Sequence, residues 1–188
     1  ESERKVVSSE RRTGLENSNW RALSQEVKGI AYRAHPYSWP VIGHQSDIDA
    51  WKKADLWAYY KTYYAPNNAT VVIAGDVKRA DVERLARQYF EPIPAQPEPA
   101  AVDTVEPEQK GERRTYVHKP SVSTPNIMVA YHVPATKHED HYALEALDSI
   151  LSSGKTSRLY KKLGDEKQLA TQATSYLPET LDPGLFYL

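Results

Sequence analysis

Glu3 and Glu10 are the residues of this sequence whose types and spacing are most informative about chemistry. They stand seven positions apart, close to two helical turns, so on a helix both carboxylates share one face. Their separation along the axis would be about 10 Å, which is too far for both to hold one small ion closely. One could be a metal ligand and the other an outer partner of the site. From spacing alone, a charged face exposed to solvent is the simpler interpretation.

Residues 153–156 read Ser-Gly-Lys-Thr and invite comparison with a phosphate-binding loop. Such a loop requires glycine at the position that Ser149 occupies, and it follows a strand. A helical pattern precedes this segment instead. We therefore predict a turn between two helices rather than a phosphate site.

The histidines build no complete metal or catalytic site by their spacing. His138 and His141 lie three residues apart where a helix should begin, a spacing that could suit a metal. Their charged neighbours Lys137, Glu139 and Asp140 favour an exposed helical turn instead. No HxxEH motif occurs, and no Ser–His–Asp arrangement can be proposed from spacing alone. Cysteine is absent, which excludes disulfides, thiolate zinc ligands and cysteine nucleophiles.

The composition is that of an ordinary globular chain. Its 188 residues include 24 Lys and Arg against 25 Asp and Glu, a balance that gives no support for binding nucleic acid. Hydrophobic residues make up 40%, enough for a core, and no apolar run approaches the roughly 20 residues of a membrane span. The chain begins within a charged helical pattern, ends on an apolar run and contains one methionine, Met128. We therefore expect a piece of a longer protein, with any signal peptide upstream.

Hydrophobic periodicity predicts helices interrupted by strands. Helices are expected at residues 1–12 (ended by Gly14), 17–34, 53–64, 82–90, 138–151 and 156–163, with a short helical turn near 46–49. Strands are expected at residues 70–74, 113–118, 126–133, 170–177 and 184–188. Pro36 and Pro40 should make residues 35–40 a rigid connector.

A proline-rich stretch divides these elements into two groups. Residues 91–112 contain five prolines among alanine, glutamate and glutamine. A loop of this length is unusual inside one compact domain, so we predict a semi-extended linker. Residues 1–90 and residues 113–188 would then be separate portions, each with antiparallel strands backed by helices.

Four segments carry a resemblance to a known family. They are ESERKVVSSERR (1–12), AYRAHPYSWPVIG (31–43), YYAPNNATVVIAGDV (63–77) and SSGKTSRLYKKL (152–163). In this order they resemble the pitrilysin or insulinase-type zinc metallopeptidases, which include the mitochondrial processing peptidases. The resemblance implies an α+β fold with antiparallel sheets backed by helices. Residues 1–90 would be the C-terminal part of the first, zinc-site domain, and residues 113–188 the N-terminal part of a second, non-catalytic domain.

The resemblance also implies a division of the zinc site. Members of this family bind zinc through an HxxEH helix and a later glutamate in an E-x6-E pattern, which here matches Glu3 and Glu10. By that match Glu10 is the zinc ligand and Glu3 supports it from the outer shell. The HxxEH residues would lie upstream, so no catalytic residue is assigned here. We expect zinc in the full-length protein but none bound by this chain alone. The family member would hydrolyse peptide bonds, with zinc polarising the carbonyl and acidifying a water.

Two functional hypotheses follow. The first is a fragment of a zinc metalloendopeptidase, inactive alone, whose peptide or protein substrate binds as an extended strand on a sheet edge. The second is a non-catalytic partner or assembly subunit of the same family. Either is compatible with a homo- or hetero-oligomer, and neither involves nucleic acid. Bacterial members of the family are often exported to the periplasm, so the resemblance favours a periplasmic location. His35, Pro36 and Tyr37 match a family segment and are expected to form a positioning loop.

Overall fold

The first two helices are separated by one residue, Ser18, which caps the second of them. The helix α1 spans Ser2–Asn17 and α2 spans Asn19–Ala31. The hydroxyl of Ser18 caps α2 by accepting a hydrogen bond from the Arg21 amide at 3.2 Å. The prediction that Gly14 ends the first helix is wrong, because a glycine inside a helix costs only about 1 kcal/mol relative to alanine.

The computed structural model describes residues 2–120 and 122–188. After α2 come α3 (Gln45–Ala50), α4 (Lys53–Tyr63), α5 (Arg79–Phe90), the strand β1 (Ala130–Val133), α6 (His141–Ser152) and the strand β2 (Gly184–Tyr187). Short 3₁₀ turns occur at Pro36–Ser38 and Pro66–Asn68, and a π-helical segment occurs at Tyr160–Glu166. A predominance of helices together with a small antiparallel sheet makes this an α+β protein, as predicted. The prolines Pro36 and Pro66 each begin a 3₁₀ turn, where their fixed φ and missing N–H are tolerated.

The strands β1 and β2 form a two-stranded antiparallel sheet. Ala130 pairs with Tyr187, and Val133 pairs with Gly184. One face of α2 covers this sheet, and the buried core is formed by Val27, Ala31, Tyr32, Leu185 and Tyr187. These elements belong to one of two compact units, which contains residues 9–42 and 105–188.

The other compact unit contains the described residues up to Ser8 together with Gly43–Thr104. Its buried apolar residues are Ile48 on α3, which is fully buried, and Ala65 after α4. The Gln45 side chain donates a hydrogen bond to the Ser8 hydroxyl at 3.1 Å. The helices α4 and α5 lie where the periodicity predicted them.

Several predicted strands are wrong. Residues 70–74 and 113–118 form no strand, and residues 170–177 contribute only a single bridge between Tyr176 and Tyr187. A strand requires a partner that completes its hydrogen-bond ladder, and residues 70–74 and 113–118 pair with none in the described part of the chain. Of the predicted strand at 126–133, only Ala130–Val133 is a strand, and Val129 extends its pairing by exchanging two backbone hydrogen bonds with Leu188.

The Ser-Gly-Lys-Thr segment forms the turn that the sequence predicts. The helix α6 ends with Ser153 as its cap, and Gly154 follows with a positive φ of 74°. Glycine reaches this left-handed conformation at no steric cost, which is the usual way to end a helix. A helical segment resumes just beyond, at Arg158. The helix α6, and not a strand, leads directly into the turn, so a phosphate-loop architecture is ruled out here.

Candidate functional site

Both glutamates of the E-x6-E pattern lie on α1 with their side chains exposed. Within residues 2–120 and 122–188, neither carboxylate accepts a hydrogen bond or forms an ion pair. The helix α1 buries none of its residues. Glu10 is therefore presented to solvent on a regular helix with its oxygens available to a ligand.

The described residues do not form a metal site by themselves. No group of three or more His, Cys, Asp or Glu side chains that could hold an ion occurs within residues 2–120 and 122–188. A hydrolytic zinc site requires three protein ligands. Glu10 offers one carboxylate, so these residues do not fit a complete zinc site.

The histidines at the start of α6 have different environments. His138 is exposed, and its ring lies 3.6 Å from the Asp140 carboxylate. His141 is buried, with its Nε2 atom 3.4 Å from the Glu145 carboxylate one turn later. The prediction of an exposed turn is correct for His138 and wrong for His141, because the first turn of α6 packs this ring inward.

The C-terminal end of α1 is held by a distant lysine. The Lys119 ammonium donates hydrogen bonds to the carbonyl oxygens of Leu15 and Glu16, each at 2.9 Å. The last turn of α1 contains no basic residue of its own. The final carbonyls of a helix lack partners within it and carry the negative end of its dipole. Lys119 satisfies both needs from a position more than 100 residues away in sequence.

The C-terminal end of α2 is held in the same way by an arginine. The Arg113 guanidinium donates to the carbonyl oxygens of Ile30 and Ala31 at 2.7 and 2.6 Å. The His132 ring on β1 lies 3.2 Å from the same Ala31 oxygen. A half-buried guanidinium on two helix-terminal carbonyls gives short, charge-assisted hydrogen bonds.

The loop after α2 binds a carboxylate. Glu106 accepts hydrogen bonds from the backbone amides of Arg33, Ala34 and His35 at 2.7, 2.9 and 2.9 Å. Three successive amides form a concave anion site, which this side chain fills. Partial burial acts to raise the pKa of Glu106. The three amides and the nearby His132 outweigh it, so its pKa lies below the ordinary value.

The expected positioning loop is fixed from two sides. The His35 ring is buried. Its Nδ1 atom accepts a hydrogen bond from the Tyr37 amide at 3.2 Å, and its Nε2 atom lies 3.6 Å from the Asp182 carboxylate. The Tyr37 hydroxyl accepts a hydrogen bond from the Asp182 amide at 3.3 Å. Tyr32 donates to the Pro183 carbonyl at 3.3 Å. Burial, with Tyr187 and other neighbours, raises the pKa of Tyr32, so its hydroxyl stays protonated as a donor.

The hydrogen bonds of Glu106 predict an acid-sensitive contact. Because the folded-state pKa is lowered, the stabilisation is fully present above the ordinary glutamate value of 4.5. It is lost as the pH falls below 4.5 and through the lower folded-state value. We expect Glu106→Gln to flatten the pH dependence of the free energy of unfolding in this range, measured by urea titration. Glu108→Gln should keep the wild-type dependence; equal flattening by both substitutions would contradict the assignment.

Sequence reasoning missed the three charged residues that hold these helix ends and the loop after α2, namely Glu106, Arg113 and Lys119. The sequence predicts a semi-extended linker at Glu106 and a strand at Arg113. One local signal was available, because the last turn of α1 has no cation of its own. Nothing in the sequence indicates which distant lysine supplies it.

Comparison with known proteins identifies the family of this fold. A family model described as the peptidase M16 inactive domain matches residues 50–188, which is more than half of the chain. The chain belongs to the M16 peptidase family. The resemblance to the pitrilysin and insulinase-type zinc metallopeptidases is therefore confirmed.

Individual relatives of this M16 chain agree with that assignment. The zinc protease PqqE of Helicobacter pylori is 39% identical over 186 residues, which are 98% of this chain and 42% of the relative. The crystal structure of a protease from Helicobacter pylori superimposes with a TM-score of 0.89 at 39% identity, over 99% of this chain and 46% of that one. The M16 inactive domain from Pseudomonas fluorescens shares the fold, with a TM-score of 0.78 at 22% identity, over 99% of this chain and 45% of that one.

The chain spans less than half the length of each of these relatives. What the relatives do as whole proteins is therefore a matter for proposal here. Within residues 2–120 and 122–188, the structure contains no helix that is both long enough and apolar enough to cross a bilayer.

Proposed function

We propose that this chain is part of a zinc metalloendopeptidase, to which it contributes Glu10 as a zinc ligand and Glu3 as a supporting carboxylate. The observation that carries the proposal is the exposed, unpaired carboxylate of Glu10 on a regular helix of an M16 chain. The name of the Helicobacter pylori relative, a zinc protease, supports the same reaction class. The substrate would be a peptide or protein. The remaining ligands and the general base would come from residues outside this chain.

The proposal also assigns the two portions of the chain to different domains of the peptidase. Residues 1–90 would belong to the zinc-site domain and residues 113–188 to a non-catalytic domain, with residues 91–112 between them. One boundary between the two compact units falls after Thr104, within the proposed linker. The family model described as an inactive domain covers all of residues 113–188, which supports a non-catalytic role for the second portion; its match also extends back over residues 50–90.

The 188-residue chain alone should neither hydrolyse peptides nor bind zinc tightly. One carboxylate holds zinc weakly, since stable sites use three or four protein ligands. Metal analysis after dialysis against zinc, together with a fluorogenic peptide assay, measures both properties. The chain should show substoichiometric zinc and a turnover indistinguishable from buffer. Stoichiometric zinc that a chelator removes, together with peptide cleavage, would overturn this expectation.

The competing hypothesis is a non-catalytic partner subunit. The presence or absence of an HxxEH segment in the full-length protein distinguishes the two hypotheses. A catalytic subunit requires an HxxEH segment upstream of Glu3. If the full-length protein carries that segment, binds zinc and cleaves peptides, the proposal is supported. If the segment lacks its histidines and the purified protein is inactive, the partner subunit is the correct function.

A further inference from the structure

Residues 70–74, Thr-Val-Val-Ile-Ala, have the composition of a strand but no strand partner. The exposed fractions of Val71, Val72 and Ile73 are 62%, 85% and 53%. Within residues 2–120 and 122–188, no backbone group of this segment forms a hydrogen bond with another backbone group. We infer that residues 70–74 are an interior strand of a sheet whose other strands come from the part of the full-length protein outside this chain.

The side chains of the segment favour an interior position in that sheet. In a strand, Val71 and Ile73 point to one face, and Val72 and Ala74 point to the other. A strand that is apolar on both faces is typical of a sheet that is covered on both sides. Exposed edge strands usually carry charged residues or proline, and residues 70–74 contain neither. The sequence therefore calls for a neighbouring strand on each side and an apolar layer on each face.

The helices on either side of this segment in sequence also leave apolar side chains uncovered. Neither α4 nor α5 buries any of its residues. On α4, Tyr60 stacks on Trp57 and on Tyr64, with ring centroids 5.5 and 5.3 Å apart, yet all three residues are at least half exposed. On α5, Tyr89 and Phe90 are exposed as well. Helices in proteins are stabilised mostly by packing their apolar face, so both helices lack a layer to pack against.

The relatives indicate where the missing strands and the missing layer come from. The matched region is 42% of the Helicobacter pylori zinc protease and 46% of the crystallised protease, so more than half of each relative lies outside it. The compact unit that contains residues 70–74 has Ile48 and Ala65 as its buried apolar residues among those described. Further residues of the same polypeptide would supply both the sheet and the core that this unit lacks.

Two other occupants of this surface are less suitable. The apolar core of a bilayer offers no hydrogen-bonding groups, so a membrane surface leaves the backbone of residues 70–74 unsatisfied. A second copy of this chain could pair through its own residues 70–74, but such a pair leaves the outer side of each strand open. The inference concerns the sheet and does not depend on zinc binding by Glu10.

Amide hydrogen exchange of the wild-type full-length protein, resolved to single residues, tests the inference without any substitution. The amides of Val71, Val72, Ile73 and Ala74 should all exchange at least about 100-fold more slowly than those of residues 101–105, which are exposed and unpaired in this structure. Protection of alternate amides only would indicate an edge strand and contradict the interior position. Fast exchange at all four amides, or protection lost on dilution from dimer to monomer, would overturn the inference.

A pair of valines provides the matched substitution. Val72 and Val105 are each 85% exposed in this chain. In the full-length protein, Val72→Asp should lower the thermal unfolding midpoint by about 5 °C or more, because it buries an unpaired charge. Val105→Asp should leave the midpoint unchanged, and equal effects would contradict the inference. If Val72→Asp does not fold, Val72→Thr and Val105→Thr make the same comparison. Unchanged zinc content in Glu10→Gln would overturn the proposed function and leave this inference standing.

Discussion

Glu10→Gln should remove most of the bound zinc and most of the peptidase activity from the full-length protein while the fold survives. A neutral amide is a poor zinc ligand, and loss of one of three protein ligands opens the site. Glu10 is exposed on α1 and makes no described contact, so its substitution should cost little stability. Glu3→Gln should do less, since a change in the outer shell typically costs about 10–100-fold in affinity or activity.

Metal analysis of the purified variants measures this order, with circular dichroism to confirm folding. Glu16→Gln is the matched control, because Glu16 is also an exposed glutamate of α1 but lies outside the E-x6-E pattern. It should retain zinc and activity. Equal zinc retention by Glu10→Gln and Glu16→Gln would end the ligand assignment. Zinc loss in Glu3→Gln alone would show that the two roles are reversed.

Leu185→Ala should lower the free energy of unfolding of the chain by about 2–5 kcal/mol. Leu185 is 2% exposed and lies in the core that α2 forms with the two-stranded sheet. Truncation removes buried apolar surface and leaves a cavity that α2 and β1 can fill only in part. Urea titration followed by circular dichroism measures the loss.

Leu181→Ala provides the control from the same part of the chain. Leu181 is 80% exposed and lies just before β2. Its substitution should change the free energy of unfolding by no more than about 0.5 kcal/mol. Equal losses at the two leucines would show that β2 does not form the core described here.

The helices were predictable because their signals are local. The helix α4 lies at Lys53–Tyr63 and α5 at Arg79–Phe90, within a few residues of the predictions. Periodic apolar positions mark each of them, and the information lies within a dozen neighbouring residues.

Most of the predicted strands did not form. Residues 70–74 have a strand-like composition, yet Val72 is 85% exposed and unpaired in the described structure. A strand depends on a partner that its own sequence does not identify.

The candidate site was predictable only where the family resemblance supplied it. The family's E-x6-E pattern pointed to Glu10 as a zinc ligand, and that residue lies on α1. The family match confirms the family itself but does not test the role of Glu10. The contacts that hold the ends of α1 and α2 and the loop after α2 join residues that lie more than 70 positions apart, such as Arg33 and Glu106. Glutamate and lysine in a proline-rich or irregular segment are usually solvated. Their role here depends on where the chain folds back, which periodicity does not encode.

Anomalous scattering at the zinc edge from crystals of the full-length protein tests the central claim most directly. A single zinc ion should appear with a Glu10 carboxylate oxygen about 2.0–2.2 Å away. The Glu3 carboxylate should lie farther from the ion, outside its first coordination sphere. A zinc ion coordinated without Glu10, or full-length protein that cleaves peptides with no zinc bound, would contradict the account.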